Sequence, residues 1–266
     1  MAVNFLRFDT RIRLLVALVL AIGLWWLAWS LLGRGSLPPT GYQPLPDFSR
    51  YHDIREMKLA FYDYLQPMVE RQNAEIAQQR ARLLEAAERI QRGESLSSEQ
   101  QHLVEELAVE YRMGDTGEEA GSRVNRLLRR VDTIPLELAL VQAAKESGWG
   151  KSRFAIDANN LFGQWCYEPG CGLVPSRRSV GKAHEVKQFD SVEAAIADYL
   201  LNLNTHPRYR PMREIRAHLR SSNVQLTGMA LADGLLHYSE RRQAYVDELK
   251  SMIRQYRRLA QGSKRA

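Results

Sequence analysis

Residues Leu136–Lys151 read LELALVQAAKESGWGK, and this stretch decides how the chain folds. Leu138 and Val141 on one side, with Gln142 and Lys145 on the other, mark two faces of a helix. Ahead of it, Thr133-Ile134-Pro135 offers an N-cap candidate, Thr133, and a proline in the first turn. Gly148 and Gly150 end it. Glu146 therefore falls in the last turn, next to Trp149. The C-terminal end of a helix disfavours a carboxylate, and indole surface can shield one from water. Both effects raise the carboxyl's pKa, as a proton donor at neutral pH requires. On spacing alone, the same residue also reads as an exposed glutamate at a helix end.

The sequence on either side is mostly helical. Tyr51–Arg92 is strongly helical, with apolar positions Met57, Phe61, Leu65, Met68, Ile76, Leu83 and Ile90 at three-to-four spacing. Pro67 interrupts this pattern and predicts a kink or a break. A second helix opens at Ser97 or Ser98 and runs to about Arg112, and a third covers about Glu118–Val131. Downstream, 163–189 breaks the helical pattern with glycines, prolines and short alternating stretches, and reads as a hairpin. Helix returns over Ser191–Asn204, and two or three more helices follow Pro211, the last over Gln243–Leu259. The expectation is a mainly α (α+β) domain whose small β-hairpin forms one wall of a groove.

Leu14–Gly33 holds twenty consecutive positions without a charge. As a helix it would be about 30 Å long, enough for the hydrocarbon core. Trp25, Trp26 and Trp29 lie toward one end, and Arg7, Arg11 and Arg13 precede the run. The positive-inside bias then predicts a single-pass inner-membrane anchor with a cytoplasmic N-terminus and an extracytoplasmic body. A cleaved signal peptide is the competing reading, but the run is long for one and offers no good small-x-small site. The expected organisation is a cytoplasmic N-terminus over 1–13, an anchor over 14–33 and a proline-rich linker over 34–50. A helical region over 51–131, a catalytic domain over 132–259 and a basic tail over 260–266 follow.

Two cysteines in 266 residues exclude disulfide scaffolds, zinc ribbons and iron–sulfur ligand sets. Cys166 and Cys171 flank the turn-forming Tyr167-Glu168-Pro169-Gly170. In an oxidising compartment they read as a local disulfide, with two free thiols or half a metal site as the alternatives. No matching His or Cys pair sits nearby, so no metal and no cofactor is expected. The net charge of +6 suits a carboxylate-rich polymer. Nucleic acid, the other common partner of basic helices, is excluded by export.

Four segments carry a resemblance. Ala143–Ser152 (AAKESGWGKS) resembles the catalytic motif of the bacterial endo-β-N-acetylglucosaminidase (peptidoglycan hydrolase) family. Asn159-Asn160-Leu161-Phe162-Gly163, Phe189–Tyr199 and Asn204–Tyr209 are similar to that family's further motifs, in the family's order. With the apolar segment and the cysteine pair, the whole chain looks most like the membrane-anchored, Bax-like branch. The resemblance implies a lysozyme-like fold with Glu146 as general acid and Tyr245 lining the site. Trp149, Asn160, Phe162 and Tyr199 would hold or frame the sugars, with core packing as the other reading of Trp149, Phe162 and Tyr199. The substrate implied is the glycan strand of peptidoglycan. Many members carry a second acid in the hairpin, but here Val174-Pro175-Ser176-Arg177-Arg178 has none. Glu185 lies on the returning strand and Glu168 inside the cysteine loop. The expected mechanism is acid catalysis by Glu146, assisted by the substrate's own N-acetyl group or by a water oriented by Glu185 and Tyr245. A lytic transglycosylase and a non-catalytic wall-binding or scaffold protein are the alternatives.

Overall fold

The structure, a computed structural model, describes residues 44–114, 117–175 and 184–263. The expected anchor at 14–33, most of the linker and the hairpin positions 176–178 lie outside the described residues. No helix among the described residues is long and apolar enough to cross a membrane.

Helix α1, Ile54–Gln91, opens on Asp53, whose carboxylate accepts from the Glu56 N–H at 2.8 Å. Of the kink or break expected at Pro67, the break does not occur, and the helix continues through it. Proline costs a helix interior about 3 kcal/mol, and the buried Phe61, Leu65, Met68 and Val69 on either side pin the turn against the body. Beyond Met68 the apolar stripe thins and polar side chains take over the docking. Arg71 donates to Glu193 at 2.6 Å, Asn73 bonds both the N–H and the carbonyl of Ile134, and Arg80 donates to the carbonyls of Leu128 and Val131.

Helix α2, Ser98–Glu110, carries a complete capping box between Ser97 and Gln100. Helix α3 is Ala120–Arg130, and α4, the decisive segment, is Leu136–Ser147. Its N-cap is Pro135 rather than the expected Thr133. The backbone stays extended at Pro135, with ψ 130°, so the helix cannot begin earlier. Thr133 instead gives its N–H to the Asp132 carboxylate at 2.8 Å. Leu138, Ala139, Leu140, Val141, Ala143 and Ala144 are all buried, so α4 is enclosed on every side rather than amphipathic.

Helix α5, Arg153–Ala158, leads into three short strands: β1 Trp165–Cys166, β2 Gly172–Leu173 and β3 Glu185–Lys187. The expected hairpin is in fact a three-stranded antiparallel sheet in the order β1-β3-β2. Trp165 and Leu173 both face Val186 in the register, so the last strand in sequence is the middle one in space. Gly172 fits because a Cβ there would lie 1.9 Å from the Val186 carbonyl oxygen. Helix α6, Val192–Thr205, follows with Ser191 as its cap. After the Pro207–Tyr209 turn come α7 Arg210–Ser221, α8 Gly228–Ala232 and α9 Gln243–Ser263. Helices α1, α8 and α9 pack around α4, and one apolar core runs from Phe48 to Ile253.

A polar hub joins these helices. Asp132 is 2% exposed and meets Arg80 at 3.5 Å, Arg216 at 3.6 Å and Arg220 at 2.7 Å. Arg216, buried on α7, also donates to the carbonyls of Arg129, Arg130 and Asp132 and to the Asn204 side chain. Burial raises the Asp132 pKa, but the Arg220 hydrogen bond and the charges of Arg216 and Arg80 outweigh it, and the net shift is downward. The hub's stabilisation is therefore present above the ordinary value of 3.8 and is lost as the pH falls through the folded pKa. Asp132→Ala strands buried guanidinium charge and is expected to cost about 3–5 kcal/mol in urea denaturation at pH 7.

Candidate active site

Glu146 takes its position from how α4 ends. Gly148, Trp149 and Gly150 are three consecutive left-handed residues, with φ of +57°, +64° and +74°. The Ser147 hydroxyl closes this turn, donating to the Ala143 carbonyl at 2.6 Å and accepting the Gly150 N–H at 2.8 Å. A side chain at position 150 would meet the Phe48 ring 2.7 Å away as well as strain the backbone. The carboxyl of Glu146 is thereby left at the edge of the core.

One turn back on α4, Gln142 is fully buried. Its carbonyl accepts the Tyr199 hydroxyl at 2.6 Å and its amide donates to the Tyr245 hydroxyl at 2.9 Å. Phe162 stacks on Tyr199 with ring centroids 3.9 Å apart, and Tyr238 stacks on Tyr245 at 5.3 Å. Tyr209 packs beside Tyr238, whose hydroxyl donates to the Phe162 carbonyl. Four tyrosines, from α6, α9 and two turns, thus gather around one carboxyl. Glu146 Oε1 is buried without a hydrogen-bond partner among the described residues. Burial raises the Glu146 pKa, and the Tyr245 hydroxyl and the charge of Lys145 oppose it by less. Burial, together with the nearby Glu146, also holds the Tyr245 hydroxyl protonated far above the ordinary tyrosine value. The arrangement can therefore hold a protonated carboxyl next to a neutral phenol.

The other expected site residues separate into groups. Tyr199, Tyr245 and Phe162 join Glu146 in one aromatic cluster. Trp149 packs its ring on Phe61 and Tyr62 of α1, under the Lys58 ammonium. Asn160 spends both amide hydrogens on the carbonyls of Gln164 and Lys187 and its oxygen on the N–H groups of Phe162 and Gln164, so it shapes the loop that carries Phe162. Glu185 accepts the N–H groups of Gly170 and Gly172 at 3.1 and 2.9 Å, bracing the loop closed by the Cys166–Cys171 disulfide. That bond answers the question of the cysteines: the one His/Cys/acid cluster among the described residues, Cys166, Cys171 and Glu185, has its sulfurs joined to each other. Gln142 and Tyr238 have no site role in the sequence reading, and Tyr209 enters it only as the end of the Asn204–Tyr209 motif. A lone amide among the alanines and leucines of α4 was the available signal for Gln142. Tyr238 lies in an irregular turn and gave none.

The model of the glucosaminidase family, described as mannosyl-glycoprotein endo-beta-N-acetylglucosaminidase, matches residues 121–258. That span contains Glu146 and every tyrosine around it. The chain belongs to the glucosaminidase family. It is also similar to Protein bax of Escherichia coli (strain K12), with 34% identity over 215 residues, covering 81% of this chain and 75% of that protein. No solved structure matches it. As a family member the protein is a glycosidase-type enzyme, and its glucosaminidase domain implies a glycan substrate.

Because the folded chain holds a proton on Glu146 that the unfolded chain has released, stability falls as the pH rises from the ordinary 4.5 through the raised folded pKa. Glu146→Gln has no such proton to lose. Its thermal midpoint is expected to exceed that of the wild type at pH 7–8, with the gap closing toward pH 4, in melts recorded across that range.

Proposed function

We propose that the protein hydrolyses the β-1,4 bond of N-acetylglucosamine-containing peptidoglycan, with Glu146 protonating the glycosidic oxygen. The observation that carries this reading is the buried, unpartnered Oε1 of Glu146 on a carboxyl whose pKa burial raises. A general acid needs this state, since the proton must be present at neutral pH and no protein acceptor should compete for it.

The segment 176–183, SRRSVGKA, contains no acid. Glu185 is committed to two backbone N–H groups. A two-carboxylate mechanism would need groups about 5–5.5 or 6.5–9.5 Å apart. The reading supported here is attack on the anomeric carbon by the substrate's own N-acetyl oxygen, as Glu146 gives its proton to the leaving oxygen. Water then opens the cyclic intermediate and returns a proton to Glu146. The Tyr245 hydroxyl, fixed by Gln142, steadies the carboxylate between the two steps.

Position along the cell envelope belongs to the same proposal. The uncharged run at 14–33 and the arginines ahead of it support an inner-membrane anchor with the enzyme on the extracytoplasmic side, where peptidoglycan lies. The Cys166–Cys171 disulfide suits that oxidising compartment.

On purified sacculi, Glu146→Gln is expected to reduce fragment release about 10²-fold or more. Mass spectrometry of the wild-type products should show reducing N-acetylglucosamine ends. Anhydro ends would instead identify a lytic transglycosylase, and binding without release a wall-binding protein. Tyr245→Phe removes a contact that lowers the Glu146 pKa, so the alkaline limb of the rate profile should move to higher pH.

A further inference from the structure

A second feature lies beside the tyrosine cluster. An open cleft of about 640 Å³ is lined by Trp165, Arg208, His237, Tyr238, Glu240 and Arg242, among others. That volume lies within the range of about 300–1,000 Å³ usual for small-ligand clefts. Tyr238 is the wall shared with the site above, since its ring stacks on Tyr245 and its hydroxyl bonds the Phe162 carbonyl.

Trp165 is the unusual member. It is 56% exposed, although indole is among the most costly surfaces to leave in water. It is nonetheless held in place. One ring face stacks on His184 with centroids 4.1 Å apart and planes inclined by 18°. Its strand pairs with β3, its neighbour Cys166 is disulfide-bonded to Cys171, and Glu185 ties down that loop. The exposed indole is thus a braced platform. Aromatic faces of this kind attract the polarised C–H groups of a pyranose ring through their negative π surface.

The rim adds charge. Arg208 and Arg242 are exposed, and neither guanidinium has a hydrogen-bond or ion-pair partner among the described residues. Arg242 also sits at φ +46°, a strained conformation for an arginine. Glu240 is the one acid at the cleft, leaving the two guanidiniums in excess over it.

We propose that this cleft is a sugar subsite in which Trp165 stacks on an amino-sugar ring and Arg208 and Arg242 take a carboxylate carried by that sugar or its peptide substituent. The substrate class selected is anionic, muramic-acid-containing glycan rather than neutral chitin-like glycan. This inference rests on the glycan-hydrolase reading of the neighbouring Glu146, and the test separates the two.

In the full chain carrying Glu146→Gln, chitotetraose should quench tryptophan fluorescence saturably. Adding Trp165→Ala should weaken that binding about tenfold, about 1.4 kcal/mol, while Trp165→Tyr should keep most of it. Trp165→Gln replaces the alanine variant if the latter melts early. Arg208→Ala with Arg242→Ala should weaken binding of a muramic-acid tetrasaccharide and leave chitotetraose unchanged. Unaltered chitotetraose affinity without Trp165 overturns the platform, and equal losses for both sugars without the arginines overturn the carboxylate contact. An inert Glu146→Gln enzyme alongside tight binding in the Trp165 variants defeats this inference alone. A fully active Glu146→Gln enzyme defeats the reading beneath it.

Discussion

Gln142 bridges Tyr199 and Tyr245 inside the protein, and the rest of the site depends on that bridge. Its two hydrogen bonds tie α6 and α9 to the helix that carries Glu146. A buried amide is tolerated only when it is satisfied, so the bridge specifies how three helices meet as well as holding them. The hydroxyl of Tyr245 is then held where it can face Glu146, and the carboxyl's other oxygen has no partner among the described residues. The cost of burying an unpaired oxygen falls on the fold, and the result is a carboxyl that keeps its proton above the ordinary glutamate range.

Much of this was legible in the sequence because it is local. The cap at Ser97, the glycine stop after Ser147 and the apolar spacing of α1 are decided within a few residues. Glu146, Tyr199 and Tyr245 were found through resemblance, and they converge in space. What escaped depends on tertiary contact. Pro67 did not break α1 because burial on both sides outweighed one lost hydrogen bond. The strand order β1-β3-β2 requires a pairing across residues that alternation alone cannot assign. Asn160, suggested by resemblance, and Glu185, by its charge on the returning strand, are both spent on backbone groups that only the folded loop brings near.

Trp149 shows how neighbours in sequence can part in space. It follows Glu146 by three positions, but the left-handed turn at 148–150 swings its ring onto Phe61 and Tyr62. The surface shielding the carboxyl is then supplied by tyrosines from distant segments. The hydrophobic environment expected around the acid is present, built from other residues.

Helix α1 has a consequence for how such enzymes are divided. It lies ahead of residues 121–258, the span recognised as the glucosaminidase domain. Yet Phe61, Leu65 and Leu83 are fully enclosed, and Trp149 rests on this helix. The unit defined by ancestry is therefore smaller than the unit that folds. Grafting the family-defined portion alone onto another carrier would expose an open flank of the core, and a transplantable catalyst has to bring its upstream helix along.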